Sequence, residues 1–158
     1  MFKNLFSKKE ENFQNFLEGT LVKIEDVSDK VFSTKMLGDG YAIDPTKENV
    51  YAPMSGKIES LFPTGHALGI RANDNVEILI HLGIDTVELN GEGFTIHVKE
   101  NAKVKQGDLL ISVDWNKIKE NNLSPISILV FTSGEKVVLK KEGQIVKEKE
   151  EDFLEISK

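Results

Sequence analysis

The stretch His66–Ile84, HALGIRANDNVEILIHLGI, sets two apolar runs on either side of a polar cluster, and each run carries a histidine. Ala72-Asn73-Asp74-Asn75 is turn chemistry, because Asn and Asp side chains bond their own backbone and tolerate left-handed angles. With Asn73-Asp74 as a two-residue loop, paired positions sum to 147, so Arg71 faces Val76 and His66 faces His81. The two imidazoles then share one face, with Cβ atoms about 4.5–5.5 Å apart. Leu68 and Leu79 join them, while Ala67, Gly69, Ile78 and Ile80 take the other face. A slip of one residue would part the histidines.

Working outward, the chain repeats this style. Val31-Phe32, Tyr41 to Ile43, Lys57-Ile58, Val76 to Ile84, Phe94 to Val98, Leu109 to Val113, Ile126 to Phe131 and Val137 to Leu139 read as short strands. Turn residues such as Gly38-Asp39-Gly40, Asp44-Pro45, Asn90-Gly91 and Ser133-Gly134 punctuate them. Many short strands so spaced predict an all-β fold, a compact, mainly antiparallel sandwich or barrel with little helix. One helix is expected over 114–122, capped by Asp114, with Trp115 and Ile118 facing inward. VKQGDLLISVD (104–114) is loosely echoed by VKEKEEDFLEIS (146–157), as suits related hairpins.

The chain has 158 residues, 39% of them hydrophobic, which suits one globular domain. Lys and Arg total 20 against 26 Asp and Glu, a net charge of −6. An acidic surface cannot neutralise phosphates, so nucleic acid is not an expected partner. With no cysteine, thiolate zinc sites, disulfides and Cys nucleophiles are excluded. The longest uncharged run, Asn121–Gly134, has 14 residues, too few for a membrane-spanning helix. Nothing at the N-terminus has the continuous apolar stretch of a signal peptide, so the expected compartment is the cytoplasm.

Residues 1–17 differ from the rest. Phe2, Leu5, Phe6, Phe13, Phe16 and Leu17 keep roughly helical spacing, with Lys3, Lys8 and Lys9 among them. The pattern is that of an amphipathic tail able to touch a membrane surface peripherally. The expected boundary sets this tail at 1–17 and the folded domain at 18–158.

Two facing imidazoles allow three chemistries: attack of a neutral ring nitrogen on phosphorus, zinc binding at His66 and His81, or a structural pair. Position in the hairpin does not separate them. His97 alternates with Phe94, Ile96 and Val98 and is expected on the wet face.

HLGIDTVELNGEGF (81–94) resembles the phosphorylation-site signature of the glucose family of enzyme IIA proteins, phosphocarriers of the bacterial phosphoenolpyruvate-dependent sugar phosphotransferase system. The likeness extends through IEDVSDKVFSTKMLGDGYAI (24–43), YAPMSGKI (51–58), FPTGHA (62–67), VKQGDLL (104–110) and SPISILV (124–130), covering about residues 19 to 158. Two places depart from the family pattern. Asn75 stands where a turn glycine is usual, and Asn15-Phe16-Leu17-Glu18-Gly19 replaces the usual Ala-Pro-x-x-Gly.

The resemblance implies that His81 accepts a phosphoryl group through Nε2, that His66 stabilises it and that Thr64 orients His66. It implies acidic residues at the rim, Asp39 and Asp85, which would meet a partner's arginines. Val31, Phe32, Met36, Phe62, Leu68, Leu79 and Val87 are the candidate apolar contact surface. The implied partners are the histidine-containing phosphocarrier protein, the B component of a glucose-type sugar permease, and regulatory proteins. No cofactor is required; zinc shared with a partner at His66 and His81 is compatible with the family. Two other readings have weaker support. A biotinyl or lipoyl carrier needs a Met-flanked lysine at a hairpin tip, and a related zinc peptidase needs a His-x-His pair; neither motif occurs.

Overall fold

The structure, a computed structural model, describes residues 11–158. Among these residues it is mostly antiparallel β-sheet with two short α-helices. The strands are β1 (Gly19–Lys23), β2 (Asp39–Pro45), β3 (Asn49–Tyr51), β4 (Gly56–Leu61), β5 (Ala67–Arg71), β6 (Glu77–His81), β7 (Phe94–Ile96), β8 (Lys103–Val104), β9 (Leu109–Val113), β10 (Ser127–Phe131), β11 (Lys136–Leu139), β12 (Ile145–Val146) and β13 (Leu154–Ser157). The helices are α1 (Lys30–Ser33) and α2 (Trp115–Glu120). An eight-stranded sheet runs β12-β1-β2-β10-β6-β5-β4-β8; β3-β9-β7 and β11-β13 form smaller sheets. The two copies of the loose internal echo begin at β8 and β12, the opposite edges of the large sheet.

Alternation along the strands builds two cores. Tyr41, Ile43, Leu68, Ile70, Ile78, Ile80, Leu129 and Phe131 enter the main one. On the other face, Ala42, Ile128 and Val130 join Ile24, Val27, Phe32 and Ile84 in a smaller core. Strand β10 is therefore buried along its whole length, which its unbroken SILVF composition requires. His81 sits on the smaller core's face, in a row of cross-strand partners Ala42, Ile128, His81 and Ala67.

The predicted hairpin forms, but its register sums to 148, not 147. Ala67 pairs with His81 and Leu68 with Ile80. The loop holds three residues instead of two: Asn75 N–H donates to Ala72 O at 3.0 Å, Ala72 N–H donates to Val76 O at 2.8 Å, and Asn75 adopts φ +69°. Asn at the left-handed position is what favours this three-residue turn. Leu68 consequently moves to the main core, fully buried, and leaves the contact surface assigned to it. Leu79 stays on the His81 face opposite Gly69.

Val31-Phe32, expected as a strand, is helical. The Asp29 carboxylate accepts the Val31 N–H at 2.9 Å and caps α1, and this local bond overrides the β-preference of two residues. The helix at 114–122 is observed as α2. Asp114 caps it through the Asn116 and Lys117 amides, and Trp115 and Ile118 are buried.

The described end of the expected 1–17 tail packs against the folded domain. Phe16 and Leu17 are fully buried in the main core, and Phe13 packs its ring 5.3 Å from that of Phe131. Buried Asn15 donates through Nδ2 to the carbonyls of Leu17, Val146 and Lys147 and accepts the Tyr41 hydroxyl at 3.1 Å. Burying such an apolar side chain contributes about 1.5–3 kcal/mol, against about 1 kcal/mol for a lysine near anionic lipid. Core packing therefore claims Phe13, Phe16 and Leu17. Phe2, Leu5 and Phe6, the rest of the expected amphipathic tail, lie outside the described residues.

Candidate active site

His66 and His81 do meet despite the register shift. Their ring centroids lie 5.2 Å apart in an edge-to-face arrangement. Alternation of faces holds only inside the ladder, and His66 precedes β5, at a bend just after the Phe62–Gly65 turn. Its carbonyl still accepts the Leu82 N–H at 2.7 Å, which holds the two segments together.

Each ring is held at Nδ1. His81 Nδ1 donates to the Gly83 carbonyl at 2.8 Å, and His66 Nδ1 lies 2.5 Å from Thr64 Oγ1. A carbonyl only accepts, so His81 carries its proton on Nδ1 and keeps a lone pair on Nε2. Phe32 packs 5.1 Å from His81 and Phe62 packs 5.1 Å from His66, giving the pair apolar walls. Burial pushes both imidazoles below their ordinary range. His66 falls to about 4, with the neighbouring His81 adding to the burial effect. For His81 burial is the largest cause, opposed by the Gly83 carbonyl, Asp29 and Asp85. Both rings are therefore neutral at pH 7.

Stability should follow that shift. The unfolded chain takes up a proton on His66 near pH 6.5, whereas the folded chain resists until about pH 4, so stability is lost as pH falls through this window. Between pH 7 and 5 the His66 contribution is at most about 2 kcal/mol. Denaturant melts at the two pH values should show this loss in the wild type and a smaller one in His66→Gln.

Gly83 is required by its backbone. It has φ +75°, and a Cβ there would lie 2.5 Å from Thr86 Cγ2 and 3.0 Å from Ser124 O. Gly83→Ala should cost about 2 kcal/mol in urea unfolding, and it should displace the carbonyl that holds His81.

Val31, Met36, Phe62 and Val87 are exposed, and so is Leu37, which follows Met36. Phe32 is buried but lines His81 directly. Asp85 is exposed, at φ +62°, one residue past Ile84. Asp39 is differently placed. Its Oδ1 accepts the Gly40 N–H at 2.8 Å, its Oδ2 accepts the Val137 N–H at 3.0 Å, and Lys35 Nζ already stands 3.5 Å from it. It ties β2 to β11, and a partner's arginine would compete with Lys35. Asp29, hidden in the sequence as an ordinary cap, adds negative potential at His81. His97 is exposed, its Nε2 3.0 Å from Ser112 Oγ.

Among the described residues no group of three or more His, Cys, Asp or Glu is placed to hold a metal. Two imidazoles supply half of a four-coordinate zinc set, so zinc would need donors from outside these residues.

Residues 11–137 match the family model of the phosphoenolpyruvate-dependent sugar phosphotransferase system, EIIA 1. Among solved structures, glucose permease IIA from Mycoplasma capricolum is similar at 38% identity and a TM-score of 0.79, over 90% of this chain and 97% of that one. A β-sandwich with these matches defines a transferase component of a sugar-uptake relay. The chain belongs to the EIIA 1 family of the phosphoenolpyruvate-dependent sugar phosphotransferase system, and it serves that system as a phosphocarrier. No helix among the described residues is long and apolar enough to cross a membrane.

Proposed function

We propose that His81 Nε2 takes the phosphoryl group from the histidine-containing phosphocarrier protein and passes it to the B component of a glucose-type sugar permease, in the cytoplasm. The observation that carries this reading is the bond from His81 Nδ1 to the Gly83 carbonyl, which leaves the Nε2 lone pair as the nucleophile. As the Nε2–P bond forms, the donor's N–P bond breaks in line, and the His81 ring becomes cationic. The bond to Gly83 then becomes charge-assisted and strengthens. A Thr64 hydroxyl donating to His66 Nδ1 leaves that ring's Nε2–H to donate to a phosphoryl oxygen.

Phe32 and Phe62 shield the product from water, while Val31, Met36, Phe62 and Val87 form the contact rim, with Leu79 behind them. Asp85, and Asp39 in competition with Lys35, meet the partner's cations. No step passes through a metal. Incubation with phosphoenolpyruvate, the system's first enzyme and the phosphocarrier, followed by mass spectrometry, tests the reading. An acid-labile phosphoryl on His81 is expected, and a label on His66 or His97 would overturn it.

A further inference from the structure

We propose that Ser127 is a positioning residue for the phosphoryl acceptor: its buried hydroxyl clamps the backbone at Gly83 so that the Gly83 carbonyl stays aimed at His81 Nδ1. The proposal rests on His81 being the acceptor.

Ser127 opens β10, and its side chain is fully buried at the head of an otherwise apolar strand. A hydroxyl there costs desolvation unless it is bonded. It makes two bonds. Oγ donates to the Pro125 carbonyl at 3.0 Å and accepts the Gly83 N–H at 3.2 Å. One hydroxyl has one proton, so the bond to Pro125 fixes the direction of the other.

The remaining polar groups around Gly83 are also held. Thr86 Oγ1 donates to the Leu82 carbonyl at 2.6 Å, and the Ile84 N–H donates to the Ser124 carbonyl at 3.0 Å. The peptide before Gly83 is therefore gripped by Thr86 and Ser127, and the peptide after it by Ser124 and His81 itself. Glycine supplies no resistance of its own, since it populates a wide range of φ and ψ. The grip must come from outside the residue. Ser127 is the only member of this set that bonds the Gly83 amide directly.

Loss of the Ser127 hydroxyl leaves the buried Gly83 N–H without its acceptor and frees that peptide to rotate. The Gly83 carbonyl belongs to the next peptide, joined to the first through glycine's own permissive φ and ψ, so its aim is then left to the Ser124 and His81 bonds alone. As that aim loosens, His81 loses the partner that keeps its proton on Nδ1, and the Nε2–H tautomer, which has no lone pair to attack phosphorus, gains population. Asp29 and Asp85 also act on His81, and neither is a partner of the Ser127 hydroxyl.

The test compares wild type, Ser127→Ala and Ser127→Thr by nitrogen-15 NMR of the His81 ring, hydrogen exchange at the Gly83 amide, and labelling kinetics. Ser127→Ala should shift His81 from the Nδ1–H form towards a tautomer mixture and speed exchange at Gly83. Its maximal labelling rate should fall on the order of tenfold with the half-saturating phosphocarrier concentration unchanged, because geometry and not docking is lost. Ser127→Thr should restore the rate. A Ser127→Ala protein with wild-type tautomer and labelling rate, whatever its melting temperature, would overturn the clamp, as would wild-type exchange at Gly83 if the Thr variant fails to fold. If wild-type protein is labelled elsewhere than His81, the acceptor reading falls, while the tautomer comparison still judges the clamp.

Discussion

His81→Ala should take up no phosphoryl group from the phosphocarrier protein, yet fold. Removing a nucleophile costs on the order of 10⁶-fold in an enzyme whose other groups remain, which here puts labelling at background. The neighbours cannot substitute. With the Thr64 hydroxyl donating to its Nδ1, His66 carries its proton on Nε2 and has no lone pair there to attack phosphorus, and Phe62 and His81 pack against the ring. His97 is exposed and bonded to Ser112, without an apolar wall to protect a phosphoryl group. The structural cost is small, because the substitution removes one hydrogen bond to Gly83 worth about 1 kcal/mol, or about 2–4 °C in melting temperature for a chain of this size. His97→Ala is the matched control and should label at the wild-type rate. Residual labelling of His81→Ala above a phosphocarrier-free blank would mean that another group accepts the phosphoryl.

Much of the site was legible because it depends on residues close in sequence. Thr64 and His66 are two apart, as are His81 and Gly83, and the hairpin joining them announces itself through Asn73-Asp74-Asn75. The pairing of the histidines was anticipated, but for an incorrect reason. The spacing predicts a two-residue turn, while Asn75 in a left-handed conformation makes three, and the rings meet only because His66 stands outside the ladder. That shift is what sends Leu68 into the core.

Other misses share one cause: a side chain bonded to a distant or non-repeating backbone position. Asp29 turns Val31-Phe32 into a helix by a cap that strand propensity does not weigh. Asn15 pins its neighbours through carbonyls more than 130 residues away, so Phe13, Phe16 and Leu17 read as a tail when they pack in the core. Asp39 carries a tie that the sequence does not show, because its bond to Val137 joins strands far apart in the chain. Patterns of period 2 or 3.6 report which face a residue takes, and they carry no information about such ties.

His66→Gln should separate the two halves of the relay. At pH 7 the wild-type ring is neutral, since its titration is depressed to about 4, so it serves as a hydrogen-bond donor and not as a fixed cation. A glutamine amide keeps an N–H donor of similar reach, and His81 keeps its Nδ1 bond to Gly83, so loading from the phosphocarrier should persist. Discharge makes a stricter demand, because the phosphoryl must be held in line as the bond to His81 breaks. The wild-type ring is fixed by Thr64 and by packing against Phe62 and His81, whereas the glutamine chain has more rotatable bonds and no such tie. A loss of alignment of this kind costs roughly 10²-fold. The measurement loads each protein in a single turnover, isolates it and follows transfer to the B component. Thr64→Val should fall between the two, because it keeps the ring but releases its orientation. If His66→Gln cannot be loaded at all, His66 is needed for the first transfer and the division of labour is wrong. If it discharges at the wild-type rate, the His66 ring has no part in holding the phosphoryl group.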